Sequence, residues 1–235
     1  MSKISFIIPV YNEIKTVKQA ITQIVDLNYE NKEIIIIDNG SLDGSVEVIK
    51  LFSFLGNVKI ILKNRNTGYG SSIKEAINAS SGDYAYIQYA DLEYDHFSCL
   101  KMLKLAIEKN LDVVFGSRLK RSSWTIEELK KLIIKKPSYL ATLICTYLIN
   151  FFYKKNFTDI IGSKFYKISS LKKIEIHSNG QGYDFELVSK LCKNNFKIGE
   201  IFVDYIPRKN SNEKKIKFYH IFVALYQILK VKILD

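Results

Sequence analysis

Apolar residues recur along the first half of the chain in two alternating patterns, short continuous runs and longer stretches with helical spacing. The run 33–38 contains four consecutive isoleucines, which is typical of a strand that is buried on both faces of a sheet. Residues 14–27 place isoleucine and valine at every third or fourth position, which predicts an amphipathic helix. The predicted strands are 4–10, 33–38, 58–62, 84–89 and 112–116, and the predicted helices are 14–27, 43–54, 71–79 and 96–109. This alternation predicts an α/β fold with a mostly parallel central sheet.

The second half of the chain is less regular, but it continues the same mixture of elements. Helices are predicted at 125–134, 138–153, 184–195 and 217–233, and a strand is predicted at 201–205. The chain has no internal repeat and no linker rich in Gly, Pro or Ser. We therefore expect one compact domain over residues 1–210, followed by a basic amphipathic C-terminal helix within 211–235.

The composition is that of an ordinary globular protein, with 47% hydrophobic and 25% charged residues in 235, which excludes disordered and fibrous classes. Its three cysteines are odd in number and lack metal-like spacing, which argues against a disulfide framework and a zinc site. No stretch reaches the roughly 18–20 apolar residues of a membrane-spanning helix. The N-terminal apolar run is short and is interrupted by Pro9, unlike a secretion signal. We expect a cytoplasmic protein.

The net charge of +11 is concentrated in two blocks, 118–136 and 206–235, each with seven Lys or Arg and two acidic residues. Each block adjoins an apolar segment, 138–153 or 218–229, and this combination suits an anionic bilayer surface. We therefore expect a peripheral position on the inner face of the cytoplasmic membrane. A solvated Lys-rich face on a core helix, or a subunit interface formed by the apolar tail, remains an alternative. The blocks lack the interleaved aromatic residues of a nucleic-acid site.

Polar, acidic or glycine-bearing segments follow each of the first five predicted strands. These segments are 9–13, 38–44, 64–70, 89–95 and 116–118. In a parallel sheet the carboxyl ends of the strands meet at one edge, where ligands bind. Any one of these segments could be ordinary turn chemistry, but five of them on one edge predict an active-site rim.

The residue types in these segments indicate a phosphate-bearing ligand and a hard cation. Asp38 could accept a hydrogen bond from a base or a ribose hydroxyl, and Gly68 and Gly70 could let a ligand approach the backbone closely. Asp91 and Glu93 are two carboxylates on one turn that could bind Mg²⁺ or Mn²⁺. The alternative for these two acids is an acidic cluster ahead of the helix at 96–109.

Arginine is scarce, with only four among the 35 basic residues, so its positions are informative. Arg118 and Arg208 could each grip a phosphate with a planar guanidinium, although surface ion pairing is the alternative.

The ordered motifs IIPVYNE, IIIDNGSLDGS, NRNTGYG, ASSGDYAYIQYADLEYD and VVFGSRL resemble glycosyltransferase family 2, in particular its polyprenyl-phosphate sugar synthases of the dolichyl-phosphate mannose synthase type. The resemblance covers residues 3–120 well and continues more weakly beyond them. It implies a GT-A fold, a Rossmann-like nucleotide-sugar-binding architecture.

The resemblance also implies roles for individual residues. It implies a donor-nucleotide pocket that includes Pro9, Tyr11, Glu13 and Asp38, with Arg208 near the donor diphosphate. Asn39, Gly68, Gly70 and Ala90 are predicted to belong to the same pocket, although Asn39 stands where the family frequently has a second Asp. Asp91 matches the metal-binding acid of the family's D-x-D element, with Glu93 completing the site for Mg²⁺ or Mn²⁺, and Arg118 would lie near the acceptor phosphate. The sequence departs from the family pattern at Tyr89, where the first carboxylate of that element is common.

The expected function is inverting transfer of a sugar from a UDP- or GDP-sugar to a polyprenyl phosphate, in the service of cell-envelope synthesis. A phosphate monoester is largely ionised at pH 7, with a second pKa of about 6, so such an acceptor needs no strong base. A sugar hydroxyl of a growing glycan is the first alternative acceptor, and its proton would need Asp184 or Glu186 as general base. The alternative reading of these two carboxylates is an ordinary helix N-terminus. The second alternative, motivated by Tyr89, is a non-catalytic protein that binds a nucleotide sugar.

Overall fold

The computed structural model describes residues 1–120, 138–207 and 220–235. Within them the strands are β1 Ile4–Val10, β2 Lys32–Asp38, β3 Val58–Leu62, β4 Tyr84–Ile87, β5 Val113–Ser117, β6 Ser163–Lys167 and β7 Ile198–Phe202. The helices are α1 Val17–Val25, α2 Ser45–Lys50, α3 Tyr69–Ala79, α4 Ser98–Glu108, α5 Ser138–Tyr153, α6 Ile168–Leu171, α7 Tyr183–Lys193 and α8 His220–Ile233.

The described strands form one sheet in the order β3-β2-β1-β4-β6-β5-β7. All neighbouring pairs are parallel except those of β6, which runs antiparallel to both β4 and β5. The predicted α/β fold with a mostly parallel sheet is therefore confirmed, and β1–β5 bring their carboxyl ends to one edge. Because β6 runs in the opposite direction, it starts at this edge, where Ser163 pairs with Gly116 of β5.

Helices cover both faces of the sheet, so the core has two layers. Successive isoleucines of β2 alternate between the layers, with Ile34 and Ile36 on one face and Ile35 and Ile37 on the other. Helices α1, α2 and α4 bury apolar residues on the first face, and α3 and α5–α8 do so on the second. This arrangement explains why β2 is a continuous apolar run: both of its faces are buried.

Strands β6 and β7 differ most from the sequence prediction. The five-residue strand β6 was not predicted, because SKFYK has a lysine near each end and resembles a turn more than a buried run. Strand β7 is Ile198–Phe202 instead of 201–205, since its pairing with β5 starts at Val113 opposite Ile198. Tyr205 instead makes an isolated antiparallel bridge with Tyr94. The predicted helix 125–134 lies outside the described residues.

The helical part of the predicted C-terminal extension packs directly on the domain. Helix α8 contacts α7 and α5 and buries Ala224, Ile228 and Val231. No helix in the described part of the chain is long and apolar enough to cross a membrane.

Candidate active site

Hydrogen bonds join the loops that follow β1 and β2, which frame the predicted nucleotide pocket. The backbone N–H of Asn12 donates to Ser41 Oγ at 2.8 Å, and Asn12 Oδ1 accepts from the N–H of Leu42 at 2.8 Å. The N–H of Glu13 donates to Ser45 Oγ at 2.9 Å. Asn12 has a φ of +52°, a left-handed conformation that asparagine tolerates better than most residues. The loop with the predicted pocket residues Tyr11 and Glu13 therefore lies against the loop after β2, and Pro9 lies just before it in β1.

Asp38 ends β2 opposite Val10 and is almost completely buried. Its Oδ2 accepts the N–H groups of Gly40 and Ser41, both at 2.9 Å. Its Oδ1 is buried and has no hydrogen-bond partner among the described residues. A buried acceptor without a donor costs about 1–3 kcal/mol, so an N–H or hydroxyl from a ligand would be stabilising here. This geometry fits the predicted contact with a base or ribose.

Asn39, also predicted to contact the nucleotide, uses its side chain to hold the loop after β3. Its Nδ2 donates to Asn66 Oδ1 and its Oδ1 accepts the N–H of Thr67, both at 3.0 Å. The amide is therefore engaged with its own chain, and contact with a nucleotide stays a prediction. The position suits asparagine because it needs a donor as well as an acceptor, and a carboxylate has only acceptors.

Gly68 and Gly70 correct an expectation, because the space beside them is occupied by the chain itself. A Cβ on Gly68, where φ is +96°, would overlap the carbonyl oxygen of Asn179. A Cβ on Gly70 would lie 2.6 Å from Cβ of Tyr183. The two glycines thus permit close packing of α3 against the segment before α7, not close approach of a ligand to the backbone.

The turn after β4 presents the two predicted metal-binding carboxylates. Asp91 Oδ1 accepts the N–H of Glu93 at 3.1 Å across Leu92, whose φ is +60°. Glu93 Oε2 accepts from the Tyr205 hydroxyl at 2.7 Å, and its carbonyl accepts from the N–H of Ile206 at 2.8 Å. Asp91 and Glu93 are both partly buried. The chain after β7 therefore supports the turn from the other side of the site.

This pair of carboxylates fits a divalent cation that a ligand helps to bind. The described residues contain no group of three or more His, Cys, Asp or Glu side chains that could hold a metal ion by themselves. Mg²⁺ commonly takes one or two protein carboxylates and completes its shell with substrate phosphates and water. Asp91 and Glu93 supply hard oxygen ligands of that kind, and their neighbour Ala90 is buried beneath the turn.

Tyr89, which replaces the family's first carboxylate, belongs to a row of tyrosines that line this edge. We call Tyr69, Tyr89, Tyr94 and Tyr205 the tyrosine row. Neighbouring ring centroids in the row are 6.3, 5.7 and 5.0 Å apart. The hydroxyls of Tyr69 and Tyr89 are 3.1 Å apart. Burial raises the pKa of Tyr89 and the nearby Asp184 raises it further, so this phenol stays neutral.

The other members of the tyrosine row were not predicted as site residues. The available signal was that Tyr69 and Tyr94 lie in the polar segments after β3 and β4. The role of Tyr205 depends on its bridge to Tyr94, which the sequence does not show.

Arg118 forms a buried two-point ion pair instead of a surface ion pair. Its Nε lies 2.6 Å from Asp159 Oδ2 and its Nη2 lies 3.0 Å from Asp159 Oδ1. The guanidinium carbon is 5.1 and 5.3 Å from the ring centroids of Tyr139 and Tyr205. Burial opposes ionisation of Asp159, but Arg118 outweighs it and lowers the pKa of that carboxyl. Contact between Arg118 and an acceptor phosphate stays a prediction, and the predicted Arg208 lies outside the described residues.

Asp184 and Lys164 form a second ion pair, near Tyr89. Lys164 is almost completely buried in β6, and its Nζ lies 3.3 Å from Asp184 Oδ1 in the first turn of α7. The same Nζ donates to the carbonyl oxygen of Gly162 at 3.3 Å. The antiparallel β6 thus brings a cation to the edge where β4 ends.

Glu186, the other predicted base, has a structural position in this protein. Its oxygens accept the N–H groups of His177 and Ser178 at 2.9 and 2.8 Å, and Lys190 Nζ lies 3.0 Å away. Burial opposes the charge on Glu186, but these donors lower its pKa to about 2. Such a carboxylate is a weak base at neutral pH. These contacts give Glu186 a structural role, and a role of Asp184 as general base stays a prediction.

Comparisons with known proteins agree with this architecture. A family model described as Glycosyl transferase family 2 matches residues 5–175. An undecaprenyl-phosphate 4-deoxy-4-formamido-L-arabinose transferase of Aeromonas hydrophila is 33% identical over 138 residues, 56% of this chain and 42% of that protein. A poly-beta-1,6-N-acetyl-D-glucosamine synthase of Staphylococcus epidermidis is 35% identical over 92 residues, 39% of this chain and 22% of that protein.

The chain spans less than half the length of these curated relatives. Among solved structures, glucosyl-3-phosphoglycerate synthase of Mycobacterium tuberculosis in complex with Mn²⁺, uridine diphosphate and phosphoglyceric acid has a TM-score of 0.68. It is 15% identical, and the match covers 100% of this chain and 80% of the synthase chain. The likeness in structure establishes the GT-A fold, and the family match, which covers most of the chain, shows that this chain belongs to glycosyltransferase family 2.

Proposed function

We propose that the protein transfers a sugar from a UDP- or GDP-sugar to a polyprenyl phosphate, with inversion at the anomeric carbon. The proposed donor site is supported by one observation: groups that could bind the two parts of a nucleotide sugar lie on either side of β1. Asp38, with its buried unpartnered oxygen, ends β2, and the Asp91–Glu93 turn follows β4. A nucleotide moiety at Asp38 and a diphosphate at the turn would span the end of β1.

In the proposed reaction, an oxygen of the acceptor phosphate attacks the anomeric carbon of the sugar. The new carbon–oxygen bond forms as the bond to the donor diphosphate breaks, and the nucleoside diphosphate leaves. A Mg²⁺ or Mn²⁺ ion, when bound, would offset charge on the leaving diphosphate, and Asp91 and Glu93 would hold it. Arg208 is proposed to assist at the diphosphate and Arg118 at the acceptor phosphate.

Two observations support the lipid phosphate as acceptor. One relative is named as an undecaprenyl-phosphate sugar transferase. The chain also has a net charge of +11, which favours anionic acceptors and anionic membrane surfaces. We extend the proposal to a peripheral position on the inner face of the cytoplasmic membrane, in cell-envelope synthesis.

A second candidate function is transfer to a sugar hydroxyl. It is supported by the position of Asp184 in the first turn of α7, beside the tyrosine row, and by the relative whose name specifies a polysaccharide synthase. In that reaction Asp184 would accept the hydroxyl proton. Asp184→Asn should then abolish transfer to a sugar hydroxyl. If the acceptor is a phosphate, the same change should reduce transfer only a few-fold.

The proposal is tested by a transfer assay with a panel of UDP- and GDP-sugars, a polyprenyl phosphate, and Mg²⁺ or Mn²⁺. We expect sugar in the lipid fraction with one donor, and loss of this labelling in Asp91→Ala. Asp26→Ala is the matched control, because Asp26 is an exposed carboxylate that follows α1. Lipid labelling that persists in Asp91→Ala, or none with any donor although nucleotide still binds, would contradict the proposal.

A further inference from the structure

Helices α5 and α8 each leave a stripe of large apolar side chains exposed. On α5 the stripe is Leu140, Ile144, Tyr147 and Phe151, and on α8 it is Phe222, Tyr226, Leu229 and Ile233. Both stripes have the same spacing, with steps of four, three and four residues, so each lies along one face of its helix. Tyr147 and Phe151 are each 67% exposed and Phe222 is 66% exposed. We call these eight residues the apolar face.

The two stripes point away from the same layer of the core. Cys145 and Ile149 of α5 and Ala224 and Ile228 of α8 are all buried in the layer that covers one side of the sheet. The helices also contact each other, and Lys232 Nζ donates to the carbonyl oxygen of Phe152 at 3.3 Å. The two stripes therefore lie on the outer sides of neighbouring helices.

The charges around the apolar face select its partner. Neither helix contains Asp or Glu, whereas Lys154 and Lys155 follow α5, and Lys230 and Lys232 lie in the last turn of α8. Two copies of such a surface would repel each other at their lysines, whereas an anionic surface attracts them. Tyrosine and phenylalanine beside lysine are also the residues that favour the boundary between lipid headgroups and acyl chains.

We propose that the apolar face docks on an anionic lipid bilayer, with α5 and α8 lying in the plane of the membrane surface. The two helices that carry the apolar face also contact the candidate site, through residues outside the stripes. In the first turns of α5, Thr142 Oγ1 lies 3.4 Å from Arg118 Nη2. On α8, Gln227 packs so closely on Gly182, two residues before Asp184, that a Cβ there would lie 2.9 Å from Gln227 Cγ. Docking through these helices would hold the candidate site near the membrane that carries the proposed acceptor, an inference that rests on the proposed function.

Vesicle binding tests the docking surface without reference to catalysis. The variants are Tyr147→Asp with Phe151→Asp, and Phe222→Asp with Tyr226→Asp. Vesicles contain phosphatidylcholine with phosphatidylglycerol in equal parts, or phosphatidylcholine alone. We expect more of the chain to co-sediment with the mixed vesicles than with the neutral ones. Each variant should bind the mixed vesicles at least about tenfold more weakly, because tenfold corresponds to the burial of one large apolar side chain. The control is Leu51→Asp with Phe54→Asp, which changes two exposed apolar residues near α2.

Binding that is unchanged in both variants would overturn the proposal. So would a dimer in lipid-free buffer that the same variants dissociate in sedimentation velocity, because the apolar face would then be a subunit interface. Circular dichroism and thermal unfolding will check that each variant is folded. We expect folded variants, because the changed side chains are exposed in the structure. Vesicle binding without sugar transfer would contradict the proposed function alone, and transfer without vesicle binding would contradict the docking surface alone.

Discussion

Arg118 and Asp159 meet through two parallel contacts, Nε to Oδ2 at 2.6 Å and Nη2 to Oδ1 at 3.0 Å, and Asp159 is completely buried. Removing one partner leaves an unpaired buried charge, so Arg118→Met should lower the free energy of unfolding by about 3–5 kcal/mol. Replacing both, as Arg118→Met with Asp159→Leu, should cost less than the single change, because no buried charge is left. Urea unfolding measures both values.

Lys104→Met provides the comparison for this ion pair, because Lys104 and Glu108 form an exposed pair on α4 at 3.8 Å. Its loss should cost about 0.5 kcal/mol or less. If Arg118→Met lowered the free energy of unfolding no more than Lys104→Met, the pair with Asp159 would not stabilise the fold.

Tyr89→Asp restores the carboxylate that the family pattern places there. We expect tighter Mn²⁺ binding in the presence of nucleoside diphosphate, because a second acidic ligand joins Asp91. We also expect a loss of about 1–3 kcal/mol in stability, since Tyr89 contacts two neighbouring rings of the tyrosine row. Titration calorimetry and thermal unfolding measure the two effects.

The same variant separates an enzyme from a binding protein. Transfer by the natural chain at a rate similar to Tyr89→Asp supports the proposed function. Transfer by Tyr89→Asp alone would show that the natural chain only binds its nucleotide sugar. Tyr89→Phe is the control, because it keeps the ring and removes only the hydroxyl that meets Tyr69.

Gly70→Ala should destabilise the protein, because the added methyl would overlap Cβ of Tyr183 and the carbonyl oxygen of Ser178. Overpacking of this kind costs about 1–3 kcal/mol. Gly56→Ala is the matched control, since a Cβ there meets no atom within 4 Å. Equal thermal stability of the two variants would contradict the close packing between α3 and the segment before α7.

Glu186 should make stability depend on pH in the acid range. Its pKa is about 2 in the folded protein against an ordinary value of 4.5, so protons bind more readily to the unfolded chain. The stabilisation is complete above about pH 4.5 and is lost as the pH falls towards 2. Glu186→Gln should flatten this decline in the free energy of urea unfolding. A decline with the same slope in the variant would mean that Glu186 is not the group responsible.

Chelation tests the metal site through Asp91. With EDTA we expect sugar transfer to stop and to resume when Mg²⁺ or Mn²⁺ is added in excess. Asp91→Asn should reduce transfer at least about a hundredfold, because removing charge stabilisation from a transition state commonly costs 10²–10³ in rate. Unchanged thermal unfolding in Asp91→Asn would confirm that the loss comes from the site and not from the fold. Full activity in EDTA would contradict metal dependence.

Hydrophobic periodicity was sufficient to predict the parallel half of the sheet, because β1 and β2 are apolar on both faces. It did not reveal β6, whose place in the sheet depends on pairing with β4 and β5 and not on its own composition. That strand brings Lys164 to the site, so the ion pair with Asp184 could not be predicted either.

The residue types predicted which loops form the candidate site, but they were a weaker guide to the role of each side chain. Asp38 has the open acceptor atom expected of a ligand contact. Arg118 and Glu186 also have side chains suited to a site, but both are bound to other parts of the chain. Arg118 pairs with Asp159, and Glu186 accepts the N–H groups of His177 and Ser178. A sequence shows a charged side chain without showing the partner that neutralises it, and only tertiary packing supplies that partner.

The position of β6 between β4 and β5 has a consequence for the newly made chain. Strand β4 pairs with β1 on one side, but its other side has no partner until β6 has been synthesised, some eighty residues later. All four residues of β4 are buried in the folded protein and none is charged, so no charged side chain protects the unpaired backbone groups of this open edge. Exposed edges of this kind recruit strands from other molecules. Aggregation should therefore compete with refolding, and recovery from denaturant should fall as protein concentration rises.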